Sequence, residues 1–578
     1  MTINLSRHEA ALALLMDQSF CRDWDALFLP CPWATPFQGR AFVTTWYEIY
    51  APQYEPLLVS ERAANGQLTG LLTLALDRVS GALVFAGTHH AEYQVWLARP
   101  ERGDEFILAA IANLETAFPT QSLFFKYLPP EVPLTWVKLE QLQHSPVGHL
   151  ELQQHARPLL NIGDGRGIAE SLKKKSNKSR LNRLKQVGAI RFEQITNRAG
   201  LAAAFDDLAA FVDLRQGAVH DVLPFRIDPL KKPFHLALLK HPDLVHITAL
   251  WVGEKMAALH FGIRGPTQAV LWLFAHSPFL AAHSPGKFHL LLMGELLAHQ
   301  GITTFDLTPG GDPWKERFAT DHDHVHTLRV TFKSGNRQLK KQQAQQRFEA
   351  IAKRGFQAIG MSPQQVRSLI GKLQRVKPSS LPKKLLKKVW DRTEFRVYVY
   401  LPADVQHLPR PQVMSTDSLD ALLAFKPMAE YQTQQGFLAR ALHQLETEQH
   451  CYTLVENDCL IHYGWLGLRQ QKAKLSEVGQ EFIYDEPENA VLYDFFTHPQ
   501  ARGRGLYQQA LYQILHDAAA VPGVKKIYIM VLADNGPSRH IIEKVGFTYQ
   551  GSMFRQKQLG KITNWTTNEP SSSSTKMV

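Results

Sequence analysis

A chain of 578 residues, 45% hydrophobic and 20% charged, has material for three or four cores and the composition of an ordinary globular protein. Its first residues lack a basic segment leading into an apolar run, and no stretch reaches the uninterrupted apolar length of a membrane span, so the expected location is the cytoplasm. Four cysteines, Cys21, Cys31, Cys451 and Cys459, form no CxxC pair and argue against a disulfide framework. The net charge of +11 is unevenly placed: residues 171–191 carry eight Lys/Arg and no acid, and residues 331–393 carry sixteen against two. Two basic elements on a mildly acidic remainder are expected, not a uniformly basic protein.

In chain order, Phe42–Tyr50 reads as a helix, and Glu55–Val59 and Leu68–Leu76 as a strand pair around an Asn65-Gly66 turn. A strand over Tyr93–Leu97, a helix over Glu105–Phe118 and a strand over Ser122–Leu128 complete an α/β outline. The turn between Arg99 and Asp104 has one glycine, which disfavours a diphosphate cradle there. A single basic helix is expected over Ser171–Lys185, ending at Gly188. A helix near Leu201–Leu214 follows, then strands over Val245–Val252, Lys255–Ile263 and Ala269–Phe274. Ser284-Pro285-Gly286-Lys287 opens a helix to His299, and a strand over Thr303–Leu307 runs into Gly310-Gly311-Asp312-Pro313-Trp314-Lys315. His322, His324 and His326 share one strand face, a spacing that suits Zn, but no Cys or distant ligand pattern supports it and no metal is expected. Residues 336–385 read as a basic helical linker with a hinge at Pro378–Pro382.

The last unit begins at Glu394–Tyr400, with a helix from Ser418 and a hairpin around Glu456-Asn457-Asp458. Its most informative stretch runs from Asp494-Phe495-Phe496 through Pro499 and the basic turn Arg502-Gly503-Arg504-Gly505 into a helix with Leu506, Ala510, Leu511, Ile514 and Leu515 on one face. Unpaired N–H groups on the first helical turn, behind two glycines, suit a diphosphate. The competing reading is a tight βα connection. Lys526–Leu532 closes a βαβ unit, and Ala533–Ser538 caps a helix that stops at Val545-Gly546-Phe547.

This arrangement resembles the GNAT family of acyl-CoA N-acyltransferases. The family's Arg/Gln-x-x-Gly-x-Gly/Ala motif fits at two of its three positions as Arg502-x-x-Gly505-x-Tyr507, favoured by Pro499, and at all three as Gln500-x-x-Gly503-x-Gly505. The resemblance implies that Phe495 and Phe496 grip pantetheine, that Arg502, Gly503, Arg504, Gly505, Leu506 and Tyr507 receive the diphosphate, and that Asn535 and Ser538 meet the pantetheine arm. Ile542 stands where relatives often carry a general-acid tyrosine, so Tyr507 or Ser538 would take that part. Asp494 is the candidate base, and a salt-bridged strand aspartate is the equal alternative.

Residues 1–335 resemble the CelD-type (BcsL-type) acyltransferases of cellulose and exopolysaccharide synthesis. The likeness rests on Ala34-Thr35-Pro36-Phe37-Gln38, Glu92-Tyr93, the basic helix, Ser284-Pro285-Gly286, and Phe305-Asp306-Leu307 through Gly311, Trp314-Lys315 and Arg317-Phe318. It implies two GNAT-like halves, as in the Fem transferases, with a possible second site at Ser284, Gly286, Lys287, Asp306 and Lys315. The expected fold class is mixed α/β (α+β), three GNAT-like units, each a mostly antiparallel mixed sheet flanked by helices. The units are set at 1–150 (degenerate), 151–335 and 386–565, with a disordered tail at 566–578. The expected function is acetyl transfer from acetyl-CoA to an amine, such as an amino sugar or exopolysaccharide precursor. The alternatives are a Fem-like transferase using charged tRNA, with the basic helices as its binding surface, and a non-catalytic CoA-binding scaffold. The 331–393 run suggests contact with an anionic membrane or a polysaccharide synthase.

Overall fold

The structure, a computed structural model, describes residues 2–137, 147–163, 165–333, 390–428, 432–558 and 561–568. The linker 336–385, its Pro378–Pro382 hinge and nearly all of the 331–393 run lie outside the described residues. The chain divides into two compact units, one centred on residues 2–333 and one on 390–568.

The first unit holds two sheets. Strands β1 (Thr2–Arg7), β2 (Tyr54–Arg62), β3 (Leu68–Asp77) and β4 (Leu83–Phe85) lie side by side in that order, and the short β5 (Leu97–Ala98) also pairs with β3; every pairing is antiparallel. The β2–β3 hairpin turns where Asn65-Gly66 predicts, with Gly66 at φ +85°. Helices Gln18–Phe28, Arg40–Tyr50 and Gly103–Ala117 cover this sheet. A Cβ at Gly70 would overlap the Phe106 ring, so glycine is what lets the last of these helices approach β3.

The second sheet contains β6 (Ser122–Leu128), β7 (Val147–Asn161), β8 (Ile190–Gln194), β9 (Val245–Val252), β10 (Lys255–Arg264), β11 (Gln268–His276), β12 (Thr304–Asp306) and β13 (Asp321–Phe332). Their order is β6-β13-β7-β12-β11-β10-β9-β8, with the pair β11/β12 parallel and the others antiparallel. Helix Pro285–His299 buries Phe288, Leu290, Leu291, Met293 and Leu297 against it. The expected edge at residue 150 falls inside β7.

The second unit is one eight-stranded sheet with a two-stranded ribbon. Its strands are β14 (Trp390–Tyr400), β15 (Ser415–Thr416), β16 (His450–Glu456), β17 (Cys459–Leu468), β20 (Asn489–Thr497), β21 (Lys526–Leu532), β22 (Thr548–Gln558) and β23 (Lys561–Asn568); β18 (Lys472–Leu475) and β19 (Gln480–Ile483) form the ribbon. The order is β15-β16-β17-β20-β21-β14-β22-β23, parallel between β20 and β21. Helix Leu506–Ala520 packs its Leu506, Ala510, Leu511, Ile514 and Leu515 stripe on Ala490, Leu492, Ile527 and Ile529. Three sheets flanked by helices, mixed and mostly antiparallel, are the fold class the sequence suggests.

Three expectations need correction. Of Tyr93–Leu97, only Leu97 with Ala98 is strand; Gln94 makes one backbone bond, to the Lys126 carbonyl, because the Tyr93 side chain is drawn inward. The basic helix is two, Arg166–Lys173 and Lys175–Val187, broken at Lys174, whose ψ is 136°. The Ser171 carbonyl, which takes the Lys174 N–H at 3.2 Å, also accepts from the buried Asn177 side chain at 2.7 Å. Thr566–Asn568 are not tail but the end of β23, in register with Gly551–Met553. No helix among the described residues is long and apolar enough to cross a membrane.

Candidate active site

The site is built on a departure from regular pairing. Strand β20 runs parallel to β21 from Asn489 to Leu492, opposite Lys526–Ile529. Beyond Leu492 it stays with β17 as far as Thr497, while β21 stays with β14 as far as Leu532. The two strands therefore part, and backbone groups on the facing edge of residues 493–497 open into a wedge. A β-bulge sits at the fork: Asp494 and Phe495 together oppose Gly464, and Asp494 has φ +48°. A Cβ at Gly464 would overlap the Phe495 ring, so the bulge depends on that glycine.

The chain leaves the wedge through the 3-10 turn Pro499–Ala501 and enters helix Leu506–Ala520 with Gly503 at φ +78° and Gly505, its N-cap, at φ +74°. Space lies open before both glycines, so backbone conformation, not crowding, selects them. The helical ladder begins with Gln509 N–H donating to the Gly505 carbonyl at 3.1 Å. The N–H groups ahead of it stand at the positive end of the helix dipole. Arg502 donates to the Thr497 carbonyl at 3.3 Å. Arg504 is paired with Glu456 on the β16–β17 turn, at 2.8 and 2.5 Å.

On one face of β20, Phe495 packs 5.0 Å from the Tyr507 ring, and the Tyr507 hydroxyl accepts from Ser538 Oγ at 3.1 Å. Burial pushes the Tyr507 phenol up to about 12, against a smaller opposing effect of the Ser538 hydrogen bond. Asn535 caps helix Gly536–Val545 by accepting the Ser538 N–H at 3.3 Å. Ile542 is fully buried in the core beneath, so that position supplies packing and no acid. Leu506 likewise serves the core.

Asp494 and Phe496 answer to the other face. Phe496 stacks on Tyr463 at 5.4 Å. Solvent reaches Asp494, yet the surrounding protein raises its pKa, an effect Arg440 partly opposes. The bulge thus separates Asp494 from the Tyr507, Ser538 and Asn535 group across one strand.

Sequence reasoning missed His462. It is fully buried on β17 opposite Thr497, its Nδ1 is 2.9 Å from Thr497 Oγ1, and its ring lies 6.5 Å from Tyr507 and 6.4 Å from Phe495. Its Nε2 is buried and has no partner among the described residues. Burial holds it down to about 4, so the imidazole is neutral. Only the cross-strand register brings it here, and a lone strand histidine carries no signal of that.

The second group of candidates splits in two. Asp306 is fully buried and accepts from the Tyr93 hydroxyl at 2.5 Å, Thr308 N–H at 2.8 Å and Arg157 at 3.3 Å. Burial raises its pKa, with Arg157 opposing. Lys315, also buried, donates to the Thr308 carbonyl and hydroxyl, each at 3.1 Å, and clamps the turn that Asp306 begins. Ser284, at φ +57°, starts helix Pro285–His299, and beside Gly286, Lys287 donates to Asn177 at 2.8 Å. Burial, then Arg180 and Lys174, lowers the Lys287 pKa.

The second unit thus combines a parted parallel strand pair, a bulge at the fork and a glycine-led helix start below it. Residues 416–547 match the family described as Acetyltransferase (GNAT) family, and residues 172–316 match Acetyltransferase (GNAT) domain. Over 81 residues the chain is 38% identical to the Uncharacterized N-acetyltransferase YycN of Bacillus subtilis (strain 168), a match covering 13% of this chain and 51% of that protein. The chain therefore spans about half the length of that relative. Among solved structures it is similar to FemX (11% identity, 56% of this chain, 97% of that one, TM-score 0.38) and to L-PGS from Bacillus licheniformis (9%, 49% and 90%, TM-score 0.30).

Proposed function

We propose that the unit centred on residues 390–568 transfers an acetyl group from acetyl-CoA to an amine by direct attack in a ternary complex. The wedge between β20 and β21, ending at the Gly503–Gly505 helix start, carries this reading. Pantetheine would add as a partial strand against β20, with its diphosphate on the first-turn N–H groups. The amine nitrogen attacks the thioester carbonyl carbon, and collapse of the tetrahedral intermediate breaks the C–S bond. Tyr507 protonates the leaving thiolate, and Asp494, through water, takes the proton lost by nitrogen. An amino sugar or exopolysaccharide precursor is the acceptor suggested by the CelD-type likeness.

The test is calorimetric titration of acetyl-CoA into the full chain and into Gly505→Glu, which sets a carboxylate at the diphosphate position. Binding that the substitution abolishes supports the reading. Binding that survives moves the donor to the 172–316 region. No binding, with salt-sensitive binding of tRNA, favours the aminoacyl alternative.

A further inference from the structure

Within the first unit, His89, His90 and Asp228 bring one ligand atom each within 4.8 Å of one another. The delivery is unusual for adjacent residues. Gly87, at φ +91°, and Thr88, at φ +41°, wind a 3-10 turn over Thr88–His90, which sets the two imidazoles 4.0 Å apart, centroid to centroid. Both Nε2 atoms face the same oxygen: Asp228 Oδ2 is 3.7 Å from His89 and 3.4 Å from His90. Asp228 is aimed by its other oxygen, Oδ1, which accepts the Leu230 N–H at 3.0 Å.

The His89 separation is too long for a hydrogen bond, and that of His90, which does interact with the carboxylate, is longer than a good one. They agree with a tetrahedral ion, whose ligand atoms at Zn–N and Zn–O bond lengths stand about 3.4 Å apart. We propose that His89 Nε2, His90 Nε2 and Asp228 Oδ2 form a site for a divalent first-row cation, Zn²⁺ by preference, with the fourth position taken by water. Two imidazoles and one carboxylate are the donor set such an ion selects. The Tyr50 hydroxyl, 2.6 Å from Asp228 Oδ2 and 2.7 Å from His90 Nε2, orients the carboxylate from the next layer. Binding exchanges the His90 contact with Tyr50 for a metal bond, with the ring proton on Nδ1. The His90 side chain is 1% exposed and Asp228 13%, whereas His89 is 58% exposed and marks the entry side. Burial keeps the His90 imidazole neutral, down to about 4, the form that ligates. Lys231, whose charge opposes protonation of both histidines, holds its Nζ over the Phe225 ring, 5.4 Å from its centroid. The ion would tie the turn after β4 to the segment leading into helix Lys231–Leu238.

The experiment uses the untagged full chain, stripped with chelator, equilibrated with Zn²⁺, desalted and assayed by atomic emission, with Co²⁺ as a spectroscopic substitute. One equivalent of zinc and the strong visible absorption of four-coordinate Co²⁺ are expected. His89→Ala, at an exposed ring, and Asp228→Asn should each lose the equivalent, whereas Tyr50→Phe should keep it with affinity weakened about 10-fold. Absence of metal above buffer background overturns the site, as does zinc retained in both His89→Ala and Asp228→Asn, which would place it elsewhere, such as His322–His326.

Discussion

Ser538 Oγ donates to the Tyr507 hydroxyl across 3.1 Å, joining the start of one helix to the start of the next. Because the phenol accepts this bond, its own proton is left for a second partner. Burial holds that proton up to about pH 12, so Tyr507 stays a competent acid throughout the neutral range. Tyr507→Phe should lower kcat for acetyl transfer at least about 100-fold with little change in donor KM. Ser538→Ala, which leaves the phenol in place, should cost much less. Steady-state kinetics on the two variants would decide it; a Tyr507→Phe enzyme of normal kcat removes the phenol from the chemistry.

Asp494 and Arg440 predict a pH effect. Protein around Asp494 raises its pKa and Arg440 opposes the rise. A base works only when deprotonated, so the acidic limb of kcat/KM should follow this carboxyl. Removing the opposing charge with Arg440→Ala should move that limb to higher pH, and Asp494→Asn should abolish it along with most of the activity. A pH–rate profile of the three proteins makes the comparison.

The elements of this site were easier to read than its geometry. Lys526–Leu532 is visible as an apolar run between polar turns and is a strand over those same residues, and the glycines before Leu506 mark a helix start through their backbone freedom. The wedge is different, since it depends on which neighbours β20 and β21 keep after Leu492, a property of the sheet and not of either segment. The bulge opposite Gly464 then puts Asp494 and Tyr507 on different faces, which alternation along Asp494-Phe495-Phe496 does not reveal. The break at Lys174 was hidden because the side chain that bridges it, Asn177, lies in the next helix. His90 and Asp228 are joined by folding alone, through the Tyr50 hydroxyl.

His462 should make the second unit acid-labile. An unfolded histidine takes up a proton near pH 6.5, and the folded ring refuses it until about 4. Between those values the unfolded chain binds more protons, so stability falls as pH drops, by about 1.4 kcal/mol per pH unit at most. His462→Gln should unfold at lower urea than the parent at pH 7 and show a flatter pH dependence between 6.5 and 4. Urea midpoints at several pH values would show it; equal slopes for both proteins would contradict the burial of an uncharged ring.

Asp306 tests whether the second candidate group is scaffold or site. Its carboxylate is wholly enclosed, takes the Tyr93 and Thr308 donors, and faces Arg157, whose Nε also donates to Asp323 at 2.7 Å. Removing it leaves the buried Tyr93 and Thr308 donors unanswered and strips Arg157 of one of its two carboxylate partners. Asp306→Ala should therefore cost about 3–5 kcal/mol of folding stability in the first unit, and Asp306→Asn, which keeps an acceptor for Tyr93, clearly less. Acetyl transfer by the Asn variant should stay near that of the parent if the wedge of the other unit is where the chemistry occurs. Denaturation curves and kinetics on the same preparations separate the two roles: a stable Asp306→Asn protein without activity would make Asp306 part of a working site.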